Sequence, residues 1–201
     1  MSNAAKVLLI GGTSHVGKST YGKELAQSIG WNHLSTDRLA RHPGRPWRVG
    51  QSDVPRDVVN HYLCLSTAES LLSVLTHYRQ NVWPIADAII RSHSNNPFDP
   101  HLVLEGSAIL PEQVARSNFA DASAIWLTAP EDVIRQRIYD SSQYAQRAET
   151  EKQLIEAFLQ RSLAFNQLIL EQVRELDLRR LDASSPDTMD KLRAECQRHV
   201  G

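Results

Sequence analysis

The residues best equipped for chemistry form one short run. Gly12-Thr13-Ser14-His15-Val16-Gly17-Lys18-Ser19 fits the pattern G-x-x-x-x-G-K-[ST], whose chemistry is the gripping of a polyphosphate. Small residues let the backbone wrap closely, so that its N–H groups point inward at an anion. Lys18 reaches terminal phosphates, the Ser19 hydroxyl is a ligand for Mg²⁺, and the helix that follows aims its positive end at the same charge. The expected nucleotide-binding set is therefore Gly12 through Thr20. The flanks suit the motif: Lys6–Ile10 is an apolar run fit for a buried parallel strand. After the loop, Leu25, Ala26 and Ile29 recur at helical spacing, and Gly30 is placed to stop the helix.

Two carboxylates follow other apolar runs. Asp37 comes after His33–Thr36, where it is placed to accept a proton from an attacking hydroxyl or to orient it. The same residue is also a good helix N-cap. Glu105 ends Leu102-Val103-Leu104 and is followed by Gly106. An acid in that position holds Mg²⁺ through water, or a substrate hydroxyl. Gly106 leaves room for a ligand to come close. Arg38, Arg41, Arg45, Arg48 and Arg56 crowd one segment, which suits a carboxylate or phosphate on an acceptor, or else a solvated basic loop. Arg135 and Arg137 lie two apart on an expected helix and cannot share a face. Arg137 is the preferred one to stabilise a transferring phosphoryl group. Arg147 stands in a polar stretch, and Arg161 either reaches inward or sits at the surface. Trp47 is a candidate lining for the acceptor side, while Trp126 reads as core.

These groups need a frame, and the pattern supplies an α/β one. Candidate strands are Lys6–Gly11, His33–Thr36, His101–Glu105, Ser123–Leu127 and Arg179–Leu181. Alternation with helical patterns argues a three-layer α/β/α arrangement around a five-stranded, mostly parallel sheet. Expected helices run from Asp57 to Tyr78, with apolar residues at 58, 62, 65, 72 and 75, and from Asn81 to His93 with Pro84 in the first turn. A third covers Glu151 to Leu176. Ser185-Pro186-Asp187 reads as a cap and first turn of a terminal helix. Arg41–Pro55, with three prolines and two glycines, and Ser141–Thr150 read as loops. The organisation expected is one domain over 1–201, a helical acceptor-side insert over about 41–95 and a lid over about 138–152.

Composition narrows the classes. The chain has 201 residues, is 41% hydrophobic and has a net charge of −1, which gives no reason to expect nucleic acid or a membrane surface as partner. No membrane-length apolar run or signal peptide is visible. Cys64 and Cys196 form no motif and read as reduced thiols, so a cytoplasmic setting is expected. The eight histidines form no zinc pattern.

Across its whole length the sequence resembles the P-loop small-molecule kinases, in outline those acting on shikimate, gluconate and nucleoside monophosphates. The carrying residues are Gly12–Ser19, Asp37-Arg38, Leu104-Glu105-Gly106, and Ile125-Trp126-Leu127 leading into Pro130–Arg137. Leu181-Asp182-Ala183-Ser184-Ser185 is similar to the loop bordering adenine in these kinases, which implies a nucleotide contact at Ala183. The resemblance further implies ATP with Mg²⁺, Asp37 as general base, and Arg38 with Arg41 beside a small anionic acceptor. Glu105-Gly106 and Arg161–Asn166 look similar to 2-phosphoglycerate kinase. Asp37…His42-Pro43 is similar to zeta toxins with the spacing shifted by one residue, and chloramphenicol phosphotransferase shares the layout. His15 departs from the pattern, since many of these loops carry glycine there; His is among the side chains tolerated at positive φ. Two other readings stay open: a zeta-toxin-like or antibiotic phosphotransferase, and an ATP-binding regulator without kinase activity. An N-K-x-D motif, expected of a GTPase, is missing.

Overall fold

A computed structural model describes residues 5–40, 44–48, 54–96, 98–119 and 121–198. Five strands, β1 (Val7–Gly12), β2 (Asn32–Ser35), β3 (Leu102–Glu105), β4 (Ala122–Thr128) and β5 (Arg180–Asp182), make one sheet in the order β2-β3-β1-β4-β5. Every pairing is parallel, with Val7 opposite Leu102 on one side and Ala122 on the other. The expected strands are all present, each displaced by about one residue at an end.

Burial on both faces explains the apolar composition of β1. Leu8 and Ile10 point into one layer with Val103, Ile125 and Leu127. Val7 and Leu9 point into the other with Leu102, Leu104 and Trp126. The first layer is covered by α1 (Lys18–Ile29), α2 (Arg56–Leu63), α6 (Glu131–Ser142), α8 (Thr188–Arg198) and the first half of α7 (Glu149–Glu175). The second is covered by α3 (Thr67–His77), α4 (Trp83–Asn95), α5 (Pro111–Ser117) and the second half of α7. Helix α7 thus runs past the sheet and contributes to both cores, which places its middle beside the strand ends.

The helices between β2 and β3 depart from expectation. The single helix expected over 57–78 is broken at Cys64–Ser66, where Ser66 and Glu69 close a reciprocal capping box that opens α3. The break re-phases the apolar stripe, so Val74 and Leu75 are buried while Leu72 faces solvent. The break expected near Tyr78–Asn81 does not occur. There the helix widens into a π turn, Tyr78–Val82, in which the Trp83 N–H reaches the Tyr78 carbonyl. Pro84 lacks an N–H and its ring collides with the carbonyl four residues back, and one extra residue in the turn relieves both. Short α5 has no counterpart among the expected elements. The terminal helix starts at Thr188 rather than Pro186, because the Thr188 hydroxyl lies 2.7 Å from the Asp182 carbonyl and 2.8 Å from that of Ser185, within reach of both with its one proton, and holds 185–187 as a turn. Among the described residues, no helix is long and apolar enough to cross a membrane.

Candidate active site

Chain geometry builds the phosphate loop. Gly12 (φ 142°) and Gly17 (φ 101°) take left-handed backbone, and His15 joins them at φ 63°. A Cβ on Gly12 would strike the Leu127 carbonyl of the neighbouring strand. Thr13 is buried, and its hydroxyl donates to the Ser162 carbonyl of α7 at 2.9 Å, pinning the loop to that helix. Val16 turns into the core. Lys18 opens α1 and folds back over the loop, its Nζ 2.7 Å from the Thr13 carbonyl. Burial pulls the Lys18 ammonium below the ordinary lysine value, Glu105 and Asp37 oppose that pull, and Arg45 adds to it.

A cleft of about 1020 Å³ opens over this loop at the carboxyl ends of the strands, the usual place for a ligand in a parallel sheet. Ser14, His15, Gly17, Lys18, Ser19 and Thr20 line its floor. Asp37 and Arg38 line it from a single 3₁₀ turn, Thr36–Arg38, after β2. The cap of that turn is the Ser35 side chain, which accepts from the Asp37 N–H, so Asp37 is not an N-cap. Glu105 enters from the end of β3 and is 1% exposed. Its Oε1 has no hydrogen-bond partner and lies 3.8 Å from His33 Nε2. A buried carboxylate oxygen left unsatisfied is costly, and here it lines the same cleft as Ser19 and interacts with the charge of Lys18. That donor set fits a hydrated divalent cation. A Cβ on Gly106 would overlap Thr36 Oγ1, so the glycine permits the close approach of the turn that follows β2.

Arg137 lies in the cleft wall, on the α6 face that meets the loop. Its Nη1 donates to the carbonyls of His15 (3.3 Å) and Val16 (3.0 Å), and its Nη2 to Ala183 (3.2 Å). Ala183 is buried, and its carbonyl also accepts from the Tyr21 hydroxyl. Arg135 instead turns to Tyr139. Arg147 is engaged with the Ser142 carbonyl, Glu151 and the Arg48 carbonyl. Arg45 joins Arg38 on the cleft, Arg48 and Arg56 do not line it, and Arg41 falls outside the described residues. Trp47 is 5% exposed and backs the site by packing on His15 and Phe158 rather than lining it. Trp126 is core, its indole N–H bonded to the Ile109 carbonyl.

The structure adds residues that sequence reasoning did not place. Arg161 is 6% exposed, lines the cleft, and is held by the Tyr62 hydroxyl at 2.7 Å and by the rings of Tyr62 and Phe158 at 5.1 and 4.8 Å. No carboxylate among the described residues pairs with it. Tyr78 comes from the π turn and shares a hydrogen bond with Ser107, and burial pushes its phenol up to about 12. Position after Glu105-Gly106 is a signal for Ser107, and the Arg-x-x-x-Phe-Asn run is one for Arg161; Tyr78 has none. Five cationic side chains, Lys18, Arg38, Arg45, Arg137 and Arg161, face two carboxylates, Asp37 and Glu105. The described lining therefore carries an excess of positive charge.

No protein-family model matches the chain, and a search of curated proteins returns no match. Solved structures do resemble it. A sugar kinase from Janibacter sp. HTCC2649 aligns with a TM-score of 0.52 at 17% identity, covering 98% of this chain and 94% of that one. A gluconokinase from Sinorhizobium meliloti 1021 aligns with a TM-score of 0.50 at 16% identity, covering 98% and 93%. At such identity the likeness establishes architecture. The chain has the fold of the P-loop small-molecule kinases: an all-parallel five-stranded sheet with helices on both faces.

Proposed function

We propose that the protein is an ATP-dependent kinase that transfers a phosphoryl group to a hydroxyl of a small anionic molecule. The observation that carries this reading is the meeting, in one cleft, of the phosphate loop, Asp37 and the buried Glu105 oxygen that no hydrogen bond satisfies. In this reading Lys18 and the loop amides hold the triphosphate. Arg137 and Ala183 border the nucleotide. Ser19 would ligate Mg²⁺ directly and Glu105 through water; the ion would offset phosphate charge. Asp37 accepts or orients the acceptor hydroxyl. Positioning and electrostatics carry most of the catalysis in such a site, and no covalent enzyme intermediate is required.

The anionic acceptor is argued from Arg161. Among the described residues the buried guanidinium meets rings and a phenol but no carboxylate, and a carboxylate or phosphate on the acceptor would supply a bidentate partner. Arg38 and Arg45 add to the attraction, with Arg41 a proposed contributor. Helices α2 to α4 form the acceptor-side wall of a single kinase unit, and residues 138–152 act as its lid. The expected setting is cytoplasmic.

The test is a screen of hydroxy acids, phosphorylated sugars, nucleosides and antibiotics for acceptor-stimulated ADP release. A hydroxylated carboxylate or phosphate should stimulate release. Stimulation only by neutral antibiotics would move the assignment to an antibiotic phosphotransferase.

A further inference from the structure

The phosphate loop and the start of the proposed lid meet at His15. Its ring packs on Trp47 and Phe158 with centroids 5.6 and 5.7 Å away, and its Nε2 lies 2.9 Å from Ser141 Oγ in the last turn of α6. The Ser141 hydroxyl has its own acceptor, the Ile138 carbonyl at 3.1 Å. A hydroxyl carries one proton. With that proton directed at Ile138, Oγ accepts from His15, and the ring carries its proton on Nε2. Nδ1 is then a buried acceptor with no hydrogen-bond partner. Burial, with Arg45, Lys18 and Arg137 nearby, pushes His15 down to about 3, so the ring is neutral around pH 7.

A second tie runs parallel to the first. Arg137 precedes Ser141 by four residues, so both lie on one face of α6. Arg137 Nη1 donates to the His15 carbonyl, while Ser141 takes the His15 side chain. The centre of the phosphate loop is therefore held by one helix face through both backbone and ring. Directly beyond that face the chain turns at Gln143 (φ 54°), and Arg147 ties the next turn back to the Ser142 carbonyl. Glycine at position 15 would adopt the same left-handed backbone but, among the described residues, would leave the loop hydrogen-bonded to the lid base through Arg137 alone.

We propose that His15 is a positioning residue that ties the lid to the phosphate loop through Ser141, so that nucleotide in the loop fixes the lid. The proposal rests on the kinase reading above. Its test is amide hydrogen exchange over residues 138–152, with and without saturating Mg·ATP, with nucleotide binding measured separately by calorimetry. Wild type, Ser141→Ala, His15→Gly and the double variant are compared. In wild type, Mg·ATP should slow exchange in this segment about tenfold. Each single variant should lose most of that nucleotide-dependent slowing, and the double variant should lose no more than either single one, because one contact is cut from two ends. Thermal melting distinguishes this from a structural role: a loss of slowing spread over the whole chain, tracking lower stability, would overturn the proposal. Full slowing in nucleotide-bound Ser141→Ala would also overturn it, even if His15→Gly failed to fold. Failure of wild type to bind Mg·ATP would instead overturn the kinase reading, and this proposal with it.

Discussion

The two sides of the cleft are built in opposite ways. The proposed nucleotide side is one contiguous stretch, Gly12 to Thr20, made largely of backbone and pinned from behind by Thr13 to α7. The proposed acceptor side is assembled from cleft-lining side chains far apart in sequence: Asp37, Arg45, Tyr78, Ser107 and Arg161. A polyphosphate presents the same oxygens whatever carries it, so a fixed array of N–H groups serves. An acceptor differs from enzyme to enzyme, so its contacts fall on whichever elements the surrounding helices deliver.

That contrast orders the expected effects of substitution. Asp37→Asn, at the junction of the two sides, should lower kcat by about 10²–10⁴-fold, the range for a lost general base, while nucleotide binding stays close to wild type. Steady-state kinetics beside nucleotide calorimetry reads both; full turnover on the true acceptor would remove Asp37 from the reaction. Lys18→Ala should lower kcat/KM by about 10²–10³-fold through lost stabilisation of phosphate charge, and here nucleotide affinity should fall too. On the acceptor side, Arg161→Met keeps much of the packing against Tyr62 and Phe158 but deletes the charge. The acceptor KM should rise about 10–100-fold with the KM for ATP little changed, in line with the loss of a charge-assisted bond. Equal changes in both KM values would mean that Arg161 serves the nucleotide or the scaffold instead.

A further effect concerns stability. His15 in the fold is depressed from 6.5 to about 3. The unfolded chain therefore binds a proton that the folded chain refuses between those values, and stability falls as pH drops from about 6.5 towards 3. His15→Gly should flatten that part of the slope in denaturant titrations at stepped pH. An unchanged slope would mean the ring is charged in the fold.

How much of this was legible in the sequence follows the same division. The loop, Asp37 and Glu105 were readable because each directly follows an apolar strand, and a parallel sheet gathers its strand ends in one place. The helix boundaries between β2 and β3 were not, although both real signals were present. Ser66-Thr67-Ala68-Glu69 spells a capping box, and Pro84 forces the π turn that carries Tyr78 into the cleft. An apolar stripe alone cannot see either, because a cap and a widened turn change the phase without changing composition. Gly106 shows a further limit: a glycine beside a site suggests ligand approach, and only the fold reveals Thr36 in the space. Arg161 lay on a long amphipathic helix, where inward and outward arginines look alike until burial separates them.

The central claim is that this cleft moves the γ-phosphoryl group of ATP to an acceptor hydroxyl. The most direct measurement follows the phosphorus itself, by ³¹P NMR of Mg·ATP incubated with the protein and hydroxylated carboxylates or phosphates. The account predicts a new phosphate-ester resonance growing in step with ADP for at least one acceptor, and its loss in Asp37→Asn. Slow appearance of inorganic phosphate alone, unaffected by any acceptor or by Asp37→Asn, would contradict it and mark the protein as a nucleotide-binding regulator.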